Sequence, residues 1–255
     1  MYQTLRIRRQ DTVCFIQLHR PEANNTINGQ LVSELHAVLE QCEADASVVV
    51  LEGLPEVFCF GADFQQISSD VSAGHGNAND PGKLYDVWCQ LATGPYITVA
   101  YVRGKANAGG VGFVAACDIV LADESAQFSL SELLFGVYPA CVLPFLVRRI
   151  GFQKANYLTL MTQPVGARQA QDWGLVDACE QHGDALLRKH LLRLRRLSKP
   201  AIRLYKEYMN TLHGSMMEHK ALAVAGNQRV FSDPQNLASI ARYVTTGVFP
   251  WEARS

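Results

Sequence analysis

Residues 97–123 read ITVAYVRGKANAGGVGFVAACDIVLAD, and this stretch decides the fold class. Ile97 to Val102 is a short apolar, β-branched run that reads as a buried strand. It passes into Arg103-Gly104-Lys105-Ala106-Asn107-Ala108-Gly109-Gly110-Val111-Gly112, where small residues mark a turn before a helix that follows Gly109. Ile119 to Ala122 then reads as a strand again. Working outward, Val13 to Leu18 and Val48 to Leu51 repeat the strand pattern, each bounded by turn residues. Between them Ile27, Leu31, Leu35, Val38 and Leu39 fall at the spacing of one helix face. The pattern predicts an α/β fold with buried strands.

The chain has 255 residues, 48% of them hydrophobic and 18% charged, with a formal net charge of −1 and a pI near 6.6. That length allows one large domain, or one with a small appendage, and a sizeable core. Near-neutrality excludes a protein that coats nucleic acid or anionic membrane with its whole surface, while leaving room for a local basic face. The cysteines, at 14, 42, 59, 89, 117, 141 and 179, are odd in number and show neither CxxC nor Cys/His spacing. They predict reduced, buried thiols and a cytoplasmic protein. No apolar h-region follows the basic N-terminus, and no stretch approaches 18 consecutive apolar residues, so neither secretion nor a membrane span is expected.

Two segments stand apart in composition. From Asp70 to Gly82 the chain carries three Gly, two Asn and one Pro without apolar period, which predicts a loop, either a solvated excursion or a lid. Beyond Pro164 the sequence turns helical. There Arg188, Lys189, Arg193, Arg195, Arg196, Lys199, Arg203 and Lys206 form a run of eight cations with no acid among them. Leu187, Leu191, Leu194 and Leu197 run through it as an apolar stripe, so the helix packs by one face and presents cations on the other. That face reads as an ordinary solvated surface or as a docking site for an anionic partner.

Three segments can carry chemistry. Phe58-Cys59-Phe60-Gly61-Ala62-Asp63-Phe64 puts small residues at a reversal, and Ala106 to Gly112 does so at a strand-to-helix turn; both free backbone N–H groups. Two donors from different loops suit an oxyanion on a thioester carbonyl. The third is Phe128-Ser129-Leu130-Ser131-Glu132-Leu133-Leu134-Phe135-Gly136-Val137-Tyr138-Pro139, where a single acid sits among apolar residues. Burial raises the pKa of such a carboxyl and suits it to act as a base near neutral pH. A helix-start acid bound to N–H groups is the alternative reading.

FCFGADF, GKANAGGVGFVAACDIVLAD and FSLSELLFGVYPA, in that order, resemble the crotonase (enoyl-CoA hydratase/isomerase) superfamily over nearly the whole chain. The resemblance implies a spiral of ββα units, with a core at 1–195 and a C-terminal helical trimerisation region at 196–255. It implies a homotrimer or dimer of trimers, and an oxyanion hole made by the N–H groups of Ala62 and Gly109. Classical hydratases of the family use two glutamates; here Glu132 matches the second, and Gly112 stands at the first.

RPEANNTIN, LEGLPEVFCFGADF, SELLFGVYPACVLPFLVRRIG, LLRKHLLRLRRL, FSDPQN and FPWE further resemble the dehydratases of polyketide β-branching cassettes. These convert 3-hydroxy-3-methylglutaryl groups on an acyl carrier protein (ACP) to 3-methylglutaconyl groups. The related cassette decarboxylase lacks a glutamate at the position of Glu132, which favours the dehydratase here. Glu132 is the expected proton carrier, Gly61 and Asp63 are expected at the substrate, and Lys83, Tyr85 and Tyr138 are candidate receptors for the distal carboxylate, which needs a cation or hydrogen-bond donors. The cationic run, through Arg188, Arg195 and Lys199, is expected to dock the acidic carrier protein by long-range attraction, with trimer contacts as the competing use of that helix. No metal or redox cofactor is implied; the substrate arrives as a phosphopantetheine thioester. An enoyl-CoA hydratase or isomerase of primary metabolism, the paralogous decarboxylase, and an RNA-binding hydratase homologue are the rivals.

Overall fold

A computed structural model of the chain describes residues 2–72, 80–181, 183–214 and 216–252. An antiparallel pair, β1 (Leu5–Gln10) and β2 (Val13–Leu18), is followed by α1 (Gly29–Asp45). Three strand pairs then succeed one another: β3 (Val48–Glu52) with β4 (Val57–Cys59), β5 (Ile97–Val102) with β6 (Lys105–Asn107), and β7 (Ile119–Asp123) with β8 (Gln127–Ser129). Helices α2 (Phe64–Ser72) and α3 (Pro81–Thr93) follow the first pair, and α4 (Gly109–Ala116) the second. A 3-10 turn at Glu132–Phe135 and α5 (Leu143–Met161) follow the third. The chain continues through β9 (Val165–Gly166), α6 (Ala167–Asp172) and β10 (Ala178–Glu180) to the helices α7 (Gly183–Leu194), α8 (Lys199–His213), α9 (Lys220–Phe231) and α10 (Pro234–Thr246).

The first strand of each pair joins a six-stranded sheet of order β1-β2-β3-β5-β7-β10, and the second joins a four-stranded sheet, β4-β6-β8-β9. The repeated ββα unit expected from the resemblance is therefore present. Because strands β3, β5 and β7 pair in parallel and are covered on both faces, they read as near-continuous apolar runs. Val49 and Leu51 face the main core, while Val48 and Val50 face a second cluster.

The helix predicted around Ile27 to Leu39 is α1, whose first turn is capped by Asn28, its side chain accepting from Leu31 N at 2.9 Å. Leu31, Leu35, Val38 and Leu39 are buried in the main core, each contributing about 1.5–3 kcal/mol by leaving water. On the opposite face of the large sheet, Leu186, Leu187 and Leu191 of α7 pack on Val48, Val50, Val99 and Leu121. Helix α7 thus lies across the sheet from α1, α3 and α4.

The sequence reading differs from the structure in several places. Helix α2 runs to Ser72 and α3 starts at Pro81, capped by Asp80, so the predicted loop from Asp70 to Gly82 narrows at both ends. Its centre, including His75, lies outside the described residues. Leu197 falls beyond α7 and is exposed, which shortens the predicted stripe. Exposed apolar side chains gather on α8 at Leu204, Tyr205, Tyr208 and Leu212, and on α5 at Phe152, Tyr157 and Leu160. The seven cysteines are free and buried, and no helix among the described residues is long and apolar enough to cross a membrane.

Candidate active site

The end of β4 and the start of α2 build the first donor. Gly61 takes φ +89°, a conformation side chains resist, and turns the chain beside α1. Ile27 N donates to Gly61 O at 2.7 Å and Asp63 N donates to Ile27 O at 3.2 Å. This bridge bonds the peptide groups on either side of Ala62 and leaves the Ala62 N–H without an acceptor among the described residues. Asp63, expected at the substrate, lines the cavity described below, and its carboxylate is engaged locally: Oδ1 accepts from Gln66 N, and Oδ2 accepts from Arg20 and Thr26 at 3.1 and 3.0 Å. Gly61 and Asp63 shape the turn.

The second donor comes from β6 and α4. Ala108 adopts φ 52° and ψ −120°, a strained combination for a residue with a Cβ, held by its N–H bond to Ser129 O at 2.9 Å. It turns the chain so that Gly109 opens α4, where a first-turn N–H has no intrahelical acceptor. The two turns touch: a Cβ on Gly61 would lie 2.6 Å from Ala108 Cβ and 3.3 Å from Gly109 N.

Glu132 begins the 3-10 turn after β8 and is buried. Burial pushes its carboxyl up to about 7, against the smaller opposing pull of the main-chain N–H groups of Glu132 and Ser131. Its Oε2 has no hydrogen-bond partner among the described residues. Three polar residues that the sequence did not single out join the two loops. Ser129 Oγ donates to Asn107 Oδ1 at 2.9 Å, and Asn107 Nδ2 donates to Ser131 Oγ at 3.1 Å. The register that sets Asn107 opposite Ser129 follows from the pairing of β6 with β8.

A cavity of about 940 Å³ gathers these groups, lined by Ala62, Gly109, Glu132 and Trp88. Phe231, Tyr243 and Phe249 from the C-terminal helices and tail complete its wall, Tyr243 and Phe249 packing on Phe135 beside Glu132. Lys83 and Tyr138 also line the cavity, and Lys83 has no ion-pair partner among the described residues. Tyr85 does not: it is fully buried and its hydroxyl donates to Met216 O at 2.7 Å, a core contact that removes it from the expected carboxylate receptors. Cys141 reaches the cavity, but its Sγ donates to Ala223 O, and burial pushes the thiol up to about 12. Among the described residues, no three His, Cys, Asp or Glu side chains are grouped to hold a metal ion.

Gly112 faces Trp88. A Cβ at 112 would stand 2.5 Å from Cζ2 of the indole and 2.9 Å from Cε2, so a side chain is excluded unless the ring moves. The ring is held edge-to-face by Phe113 and Phe145, each with centroids at 5.8 Å.

The cation run is partly neutralised. Arg195 pairs with Asp11 at 3.6 Å, Lys206 is buried against Asp118 at 2.5 Å, and Arg203 pairs with Glu207 at 3.7 Å. Lys199 Nζ donates to Ala46 O at 2.7 Å and Cys42 O at 3.3 Å, closing the C-terminal end of α1. Arg188 is exposed on α7. The expectation of eight uncompensated cations is corrected by these pairings, and α7 lies across the large sheet from α3 and α4, which line the cavity.

The sequence pattern of the enoyl-CoA hydratase/isomerase family matches residues 8–254. The chain is 60% identical over 252 residues to bacillaene synthase dehydratase PksH of Bacillus subtilis (strain 168), covering 98% of this chain and 97% of that protein. It is 33% identical over 173 residues to 2,3-dehydroadipyl-CoA hydratase of Escherichia coli (strain K12), covering 67% and 66% of the two. A crystal structure assigned to a polyketide biosynthesis enoyl-CoA hydratase (pksH) from Bacillus subtilis superposes with a TM-score of 0.96 at 59% identity, covering 98% of this chain and 100% of that one.

Proposed function

We propose, from the premise that this chain belongs to the enoyl-CoA hydratase/isomerase family, that it is a dehydratase acting on a carrier-bound 3-hydroxy-3-methylglutaryl thioester in polyketide β-branching. The observation that carries the reading is Glu132, a buried carboxyl with a free oxygen and a pKa of about 7, sharing one cavity with the free N–H groups of Ala62 and Gly109.

In the proposed reaction the Ala62 and Gly109 N–H groups hold the thioester oxygen as it gains charge. Such donors are typically worth about 2.7–4 kcal/mol of barrier each. Glu132 takes a proton from C2, the electrons form the C2–C3 double bond, and the C3–O bond breaks. The departing hydroxide receives the same proton from Glu132 and leaves as water, giving the 3-methylglutaconyl thioester. One carboxyl suffices when hydrogen and hydroxyl leave from the same face. Lys83 and Tyr138 are the proposed receptors for the distal carboxylate, whose desolvation needs a cation and a hydroxyl donor. These steps use the phosphopantetheine thioester itself and no further cofactor.

A carrier tether is favoured over coenzyme A by the 60% identity to bacillaene synthase dehydratase PksH, whose name places it in a polyketide synthase. Docking through Arg188, Arg195 and Lys199 is not retained, because Arg195 and Lys199 are engaged within the fold and α7 lies across the sheet. The partner is an acyl carrier protein of a polyketide synthase. The exposed apolar faces of α5 and α8 support self-association, proposed as a homotrimer or a dimer of trimers, which light scattering on the purified protein measures. Mass spectrometry of carrier-bound 3-hydroxy-3-methylglutarate incubated with the protein tests the function. Loss of water alone is expected; loss of carbon dioxide as well would assign the decarboxylase, and no change would reject both.

A further inference from the structure

We infer that Trp88 is the donor for the leaving oxygen: its indole N–H holds the C3 hydroxyl of the substrate while Glu132 carries the proton. This rests on the dehydratase reading above.

Trp88 lines the cavity yet is almost wholly buried, and its Nε1 has no hydrogen-bond partner among the described residues. Buried polar atoms are rarely left unpaired, because an unmet donor costs its full desolvation. Glu132 Oε2 is an unmet acceptor in the same cavity. A buried donor and a buried acceptor, both unpartnered among the described residues and both on side chains that line one cavity, suit a ligand oxygen that accepts from one and takes a proton from the other.

The ring is fixed for that role. Phe113 and Phe145 clamp it edge-to-face, and Gly112 gives it room, since the Cε2–Cζ2–Cη2 edge occupies the space next to that residue. Nε1 is bonded to Cε2, at one end of this edge. Cζ2 also lies 3.9 Å from where a Cβ on Gly109 would stand, beside one of the proposed oxyanion donors. In the proposed complex the thioester oxygen has two main-chain donors and the distal carboxylate has Lys83 and Tyr138. The C3 hydroxyl is the remaining oxygen, and its charge rises as the C3–O bond breaks. The indole N–H keeps its proton throughout; it donates a hydrogen bond to that oxygen, while Glu132 supplies the proton that makes water.

Two measurements test this. In protein labelled with 15N at the indoles and carrying Glu132→Gln to stop turnover, 3-hydroxy-3-methylglutaryl pantetheine should move the Trp88 Nε1–H resonance downfield. 3-Methylglutaryl pantetheine, which lacks the hydroxyl, should bind without that shift. Equal shifts with both thioesters, or none with either, would overturn the inference. Trp88→Phe, which keeps an aromatic ring and removes the N–H, should lower kcat by about 10- to 100-fold with little change in KM, the loss expected for one hydrogen bond to an oxygen gaining charge. A Trp88→Phe protein with wild-type kcat would also overturn it. The failures are separable: a hydroxyl-dependent shift without water loss in the wild type rejects the dehydratase reading alone, whereas normal water loss with an unaffected Trp88→Phe variant rejects the indole's role alone.

Discussion

Asn107 and Ser131 are joined side chain to side chain, Nδ2 to Oγ at 3.1 Å, and this bond ties the turn that carries Gly109 to the turn that carries Glu132. Ser129 completes the tie by donating to Asn107 Oδ1. Two loops that come from different ββα units are thereby held in one geometry. Asn107→Ala should leave both loops folded but freer to shift. Because small displacements at a reacting centre act on the transition state, kcat should fall about 10-fold or more with KM nearly unchanged. Steady-state kinetics on a pantetheine thioester measures the split; a rise in KM alone would make Asn107 a binding residue instead.

Glu132 gives a pH signature in both rate and stability. The base must be ionised, so kcat/KM should rise with pH and level off above about 7, the value to which burial lifts this carboxyl. Glu132→Gln should abolish turnover and with it the profile. The stability sign is opposite. An unfolded glutamate ionises near 4.5 and this folded one at about 7, so between those values the folded chain holds the extra proton and stability falls as pH rises. Glu132→Gln escapes that loss. Its melting temperature relative to wild type should therefore climb between about pH 4.5 and about pH 7 and level off above that. A constant offset across that window would mean that the carboxyl is not desolvated in the fold.

Gly112→Glu should not create a two-acid hydratase. The new Cβ would meet Trp88 at 2.5 Å, and the ring would have to leave its edge-to-face contacts with Phe113 and Phe145 to make room. Overpacking of this kind costs about 1–3 kcal/mol, occasionally more. Urea denaturation should show that loss for Gly112→Ala already, and Gly112→Glu should lose dehydration without gaining hydration of a crotonyl thioester. Efficient crotonyl hydration by the unaltered protein would show instead that the family's first glutamate is dispensable here.

Much of this was legible in the sequence because the signals were local. The runs 13–18, 48–51 and 97–102 became strands β2, β3 and β5, and the apolar spacing from Ile27 to Leu39 became α1, since burial on a fixed face leaves a periodic trace. The strands of the smaller sheet left none: β4, β6 and β8 are three residues each, too short for alternation to register. Strand β1, LRIRRQ, was masked by its arginines, which an edge strand tolerates because its outer side meets solvent. Ala62, Gly109 and Glu132 were legible only through ordered motifs and the family resemblance, and they do share a cavity. Tyr85 was misplaced because a tyrosine on a helix carries no mark of which face it occupies. Asn107, Ser129, Ser131 and Trp88 could not be found from spacing, because their relationships are made by β6–β8 register and by the packing of α3 on α4.

The cationic run supplies the last test. Lys199 holds the two terminal carbonyls of α1, Ala46 O and Cys42 O, and burial lowers its pKa although nearby acids oppose the shift. Lys199→Glu would remove the donor to Ala46 O, while Cys42 O keeps its bond from Ala46 N, and would place a negative charge at the negative end of the helix dipole. Thermal unfolding should show a clear loss, on the order of 1–3 kcal/mol, with carrier-bound and pantetheine-bound substrates affected alike. Arg188→Glu combined with Arg196→Glu removes exposed charge from the face across the sheet. It should change neither stability nor the ratio of KM for the two substrates, at low or high salt. A KM that rises for the carrier-bound substrate alone, and recovers as salt screens the surface, would restore carrier docking to α7. Without that result, the carrier must approach on the side of the sheet where α2, α3 and the C-terminal tail surround the cavity.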